Sequence, residues 1–115
     1  VNPFDEANAS LFSTAEQIEL KTGELETARE KYLLAKADYE NSYSRFLLET
    51  KLKEPDSTES MIKAKATNLA YESKLSAIRA ESCYKRISNE IRALRDRLDV
   101  GKEISWNLRK DRTQG

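Results

Sequence analysis

No histidine occurs among these 115 residues, which removes the commonest general base and the commonest metal ligand. The lone cysteine, Cys83, cannot form an internal disulfide, so stability must come from packing, as suits a reducing compartment. Three glycines and two prolines leave few points for sharp turns and no phosphate-cradling loop. No stretch approaches the roughly eighteen apolar residues of a membrane span, and the N-terminus lacks a basic-then-apolar signal pattern. The expectation is a soluble, cytoplasmic protein with no membrane partner.

What remains is helix-forming material. Charged residues make up 35% of the chain and apolar residues 38%, too polar a mixture for an ordinary globular core. An extended coiled coil is the periodic solution that still buries a continuous seam. From Leu11 a seven-residue repeat places Leu11, Ile18, Leu25, Tyr32, Tyr39 and Phe46 on one line, with Ala28, Ala35 and Ser42 three residues further on. The pattern stops at Lys53-Glu54-Pro55, because proline disfavours helical geometry in the residue before it. Asp56-Ser57-Thr58-Glu59 then reads as a capping box with Asp56 as N-cap.

A second three-four alternation runs through Ala66, Ala70, Ser73, Ala77, Ala80, Tyr84, Ile87, Ile91, Leu94, Leu98, Gly101, Ser105 and Leu108. Folding back at Pro55 sets its small half, Ala66 to Ala80, against Phe46, Tyr39 and Tyr32, and its large half against Leu25 and Ile18. The expected fold is all-α: a long antiparallel two-helix hairpin, roughly 60 Å or longer at helical rise. Its parts are an N-terminal arm over 1–10, a first helix over 11–53, a turn over 54–58, a second helix over 59–111 and a tail over 112–115. Gly101 falls on the seam, where the lack of a side chain permits a close crossing.

Two features point outward. Leu20, Leu34 and Leu48 recur every fourteen residues off the seam, and Tyr71, Leu75 and Ile78 form a patch beside the second seam. Stripes at helical spacing mark self-association, here into a dimeric four-helix arrangement. Charge is also polarised: residues 1–59 hold thirteen acids and seven bases, net −6, while 60–115 hold seven acids and thirteen bases, net +6. Arg92, Arg95, Lys102 and Arg109 share a face with Trp106, a pattern that single-stranded nucleic acid binding uses for phosphates and bases. Asp96, Asp99, Glu103 and Asp111 dilute that face, and a solvated helix with Trp106 docked on the N-terminal arm accounts for the same residues.

Catalytic readings fail in turn. Glu24 and Glu26 point to different helix faces, so with Glu30 they make no paired-carboxylate or metal site within one chain. Cys83 has neither histidine nor a helix N-terminus to lower its pKa and reads as a packed thiol. No catalytic, cofactor-binding or metal-binding residue is expected, nor a small-molecule substrate.

The run Ile91-Arg92-Ala93-Leu94-Arg95-Asp96-Arg97-Leu98-Asp99-Val100-Gly101-Lys102 resembles the C-terminal signature of small helical proteins of tailed bacteriophages and prophages, encoded near single-strand annealing recombinases. Phe46-Leu47-Leu48-Glu49 at the end of the first helix and Lys63-Ala64-Lys65-Ala66 opening the second agree in layout. The resemblance implies a bacterial host cytoplasm and a partner in phage DNA recombination or replication. It carries over no catalytic residue.

Overall fold

The computed structural model describes residues 2–114, with side chains as far as Asp111. It is all-helical: α1 spans Pro3–Lys53, α2 Glu59–Leu69 and α3 Tyr71–Gln114, with no strand among the described residues. None of these helices is long and apolar enough to cross a membrane.

The segment expected as an arm belongs to α1. Asn2 caps it: its side-chain oxygen accepts from the Phe4 amide at 2.9 Å and its carbonyl from the Glu6 amide at 3.1 Å. Pro3 occupies the first helical position, where a missing N–H costs nothing, and Asp5 and Glu6 complement the dipole in the first turn. At the other end α1 stops at Lys53 as the proline requires. The Ser57 amide bonds the Glu54 carbonyl at 3.2 Å, closing a turn with Pro55 at its second position.

That turn corrects the expected cap. Asp56 and Ser57 lie in the reversal, and the cap is Thr58, whose backbone is extended at φ −66° and ψ 154°. The Thr58 hydroxyl accepts from the Met61 amide at 3.3 Å. The second helix is also divided, at Ala70, whose φ of −90° and ψ of 10° leave helical geometry for one residue. The bonds Ala70 N to Ala66 O and Lys74 N to Ala70 O, both 3.0 Å, carry the ladder across. Beyond Asp111 the expected tail continues α3 to Gln114, and Val1 and Gly115 lie outside the described residues.

The chain divides into two compact units, one built from the segments up to Glu26 and from Lys85, the other from Thr27–Tyr84. In the second unit Glu54 pairs with Lys65, the Ser73 hydroxyl reaches that of Ser42 at 3.5 Å, and Tyr32 stacks on Tyr84 with centroids 6.1 Å apart. One number falls as the other rises, so the segments run in opposite directions. The stacked tyrosines refine one expectation, since Tyr32, set against the small half of the second helix, meets the large Tyr84. In the first unit Lys21 pairs with Glu90 at 2.8 Å and the Ser105 hydroxyl bonds the Asn8 side chain at 3.0 Å. A Cβ on Gly101 would sit 2.8 Å from Leu11 Cδ2, the close approach its position requires.

The seam is narrow. Ala66 and Ala70 are 0% and 1% exposed, and Ala28, Ala77, Ile87 and Ile91 are also buried, but no large side chain is fully enclosed. The α1 line from Leu11 to Phe46 is half-buried throughout. Two packed helices cover a side chain from one direction only, so flanking surface stays open.

Candidate interaction surface

In the first unit a groove of about 400 Å³ lies between the start of α1 and the end of α3. Lys102, Trp106 and Arg109 line it together with Phe4, Asn8, Leu11 and Ser105. Three of the five residues expected to bind nucleic acid or a partner therefore converge. The other two do not enter the groove: Arg95 lies seven residues before Lys102 and Arg92 fourteen before Trp106, exposed along the same face of α3. Trp106 borders Phe4 and Asn8 yet remains 62% exposed, so it is not docked away. Phe4 stands seven residues before Leu11, on the same line of α1, and a repeat counted only from Leu11 passes over it and its neighbour Asn8. The signal that marks them is Asn2-Pro3 followed by two acids, a helix start.

Charge in this unit is arranged by helix. Residues 1–26 carry six acids and one base, net −5, and residues 85–115 carry five acids and nine bases, net +4. Most of the polarity between the two halves of the chain thus sits here. Yet Lys21–Glu90 joins the single base of the acidic segment to an acid of the basic one, against the prevailing sign. Hydrogen bonds from Lys21 to Glu90 and then Glu24 raise the Lys21 pKa, and the bond from Lys21 lowers that of Glu90. Arg92, Arg95 and Lys102 are exposed and form no ion pair among the described residues, and neither do Asp5, Glu19 and Glu26.

The expected self-association residues divide between the two flanks of the seam. Leu20, 72% exposed, follows Lys21 and Glu24 around α1 on the flank where Glu90 lies, and Leu34 and Leu48 repeat its position, also exposed. Tyr71 and Ile78, exposed as well, repeat the position of Trp106 on α3, which is the opposite flank. Leu75 is half-buried. Phe12, Leu33, Leu52, Met61, Leu69, Val100 and Ile104 add exposed apolar surface that the stripes did not include.

Among the described residues no group of three or more acidic or cysteine side chains converges as a metal site would. Glu24 instead binds Lys21 at 3.2 Å, and Cys83 is half-buried without a disulfide. Compared with protein-family models, with curated proteins and with solved structures, the chain matches none.

Proposed function

We propose that this chain is a long antiparallel helical hairpin that acts as a non-catalytic adaptor through protein contacts, pairing with a second copy into a four-helix arrangement. The observation that carries the reading is the exposure of Leu20, Leu34, Leu48, Tyr71 and Ile78 at helical spacing in a molecule with so narrow a seam. Apolar stripes left open to water in this way are stabilised when a partner covers them. Sedimentation equilibrium at micromolar concentration should give at least twice the 13.2 kDa chain mass. A monomer across that range would sink the self-association and leave the stripes to a different protein. Service to phage DNA recombination or replication rests on the likeness of residues 91–102 alone, and direct binding to a purified annealing recombinase is its test.

The convergence of Lys102, Trp106 and Arg109 on one groove favours a second reading, direct binding of single-stranded nucleic acid. If Arg92, Arg95, Lys102 and Arg109 follow a phosphate backbone, log affinity should fall against log salt with a slope of about −3. Trp106→Ala should lower affinity by about 1–3 kcal/mol through lost stacking and leave that slope nearly unchanged. Absence of binding to single- or double-stranded DNA or RNA at about 50 mM salt would remove this reading.

A further inference from the structure

The exposed flank of the first unit that carries the groove has a self-complementary charge pattern. On α3 the groove residues Lys102, Trp106 and Arg109 extend by seven-residue steps to Arg95, Arg92 and Lys85, and Asp99 is the one acid on the stripe. On α1 the groove residue Asn8 extends to Ala15 and Thr22. Asp5, Phe12, Glu19 and Glu26 stand one helical turn from these on the same flank, with no base among them. One helix of the flank is thus acidic and the other basic. Asp5, Glu19 and Glu26 and, opposite them, Arg92, Arg95 and Lys102 are exposed and make no ion pair among the described residues.

We infer that this flank is an interface between two copies of the chain, with the acidic stripe of each lying on the basic stripe of the other about a two-fold axis parallel to the helices. The inference rests on the self-association proposed above and specifies its surface. Symmetry decides the geometry, because a two-fold contact brings the same patch of both copies together. An axis across the helices sets α1 on α1 and α3 on α3, acid against acid and base against base, which is repulsive. An axis along them sets α1 on α3 at the same level of the molecule. The levels follow from Leu11 beside Gly101 and Lys21 beside Glu90. Glu19 then faces Arg92 and Arg95 of the second copy, and Asp5 faces Arg109. Phe12 and Trp106, 70% and 62% exposed, supply apolar contact between the charged positions.

The test is charge reversal in the full chain, read by sedimentation equilibrium at low salt, where such pairs are least screened. One variant carries Glu19→Lys and Glu26→Lys, a second carries Arg92→Glu and Arg95→Glu, and a third carries all four. Each pairwise variant should dimerise about tenfold or more weakly than the wild type, because like charges face each other twice. An equimolar mixture of the two should recover the dimer, and so should the four-substitution chain, which remains the decisive variant if a pairwise one loses its helicity. Pairwise variants that self-associate as tightly as the wild type overturn the inference but leave the adaptor reading standing on its apolar stripes. A monomeric wild type defeats both. If Arg92→Glu with Arg95→Glu abolishes binding of a labelled single-stranded oligonucleotide while the mass stays dimeric, the basic stripe belongs to nucleic acid and the inference fails.

Discussion

Ile91→Ala is expected to lower the free energy of unfolding by about 2–4 kcal/mol, the lower part of the range for truncating a buried isoleucine. Ile91 is 3% exposed, the least exposed large apolar residue in a seam that encloses no large side chain completely. Removing its outer carbons forfeits transfer free energy and leaves space beside Ile87, which is also buried. The loss stays below the maximum because a two-helix seam is open at its flanks, and half-buried neighbours such as Leu94 can lean inward. A loss of this size is a large share of the about 5–15 kcal/mol that stabilises a typical domain. Urea unfolding followed by helical circular dichroism should show a lower midpoint at unchanged slope. Ile91→Val should cost only about 0.5–1.5 kcal/mol. Measurement at one fixed chain concentration is essential, since self-association would itself add stability. A loss under about 1 kcal/mol for the alanine variant would mean that the α1–α3 seam does not hold this unit together.

The seam was legible because burial imposes a period. The α1 residues Leu11 to Phe46 and the second-helix residues Ala66 to Leu108 all emerged buried or half-buried. Thr14 and Thr50 did not announce themselves, being polar by type, yet both are buried. Their hydroxyls donate to the Ser10 and Phe46 carbonyls at 2.9 and 2.7 Å, which removes the penalty of burying them. Thr50 also stands four residues after Phe46, where the repeat called for Glu49, so a strict heptad count passes over it. Ile62 is buried in the turn of α2 before the alternation begins. The candidate surface was half legible: its cations and Trp106 share a helix face, which spacing reveals. Its other wall was not, because the repeat was counted from Leu11, and Phe4, seven residues earlier on the same line, fell outside it together with Asn8. The concentration of charge in the first unit was hidden for a similar reason. A split at the turn averages each helix over its whole length, whereas the polarity emerges only once residues 1–26 are paired with residues 85–115.

Ala66→Leu is expected to destabilise the chain by about 1–3 kcal/mol, although leucine and alanine are both strong helix formers. Ala66 is 0% exposed and sits one turn from two other buried residues, Ile62 and Ala70. Three added carbons have no open direction there, so α2 must move away from its neighbour or the leucine must leave its preferred rotamers. Moving α2 would also disturb the Glu54–Lys65 pair beside the turn and the one-residue break at Ala70. Local helix propensity cannot explain such a loss, and Ala64→Leu is the control. Ala64 is exposed on the same helix, so leucine there should change stability by no more than about 0.5 kcal/mol. Trp106, the only tryptophan, lies in the first unit, whereas Ala66 lies in the second. The native fluorescence of Trp106 should therefore be unchanged while the urea midpoint falls. Equal effects of the two leucine variants would refute the claim that small residues at Ala66 and Ala70 set how closely α2 packs.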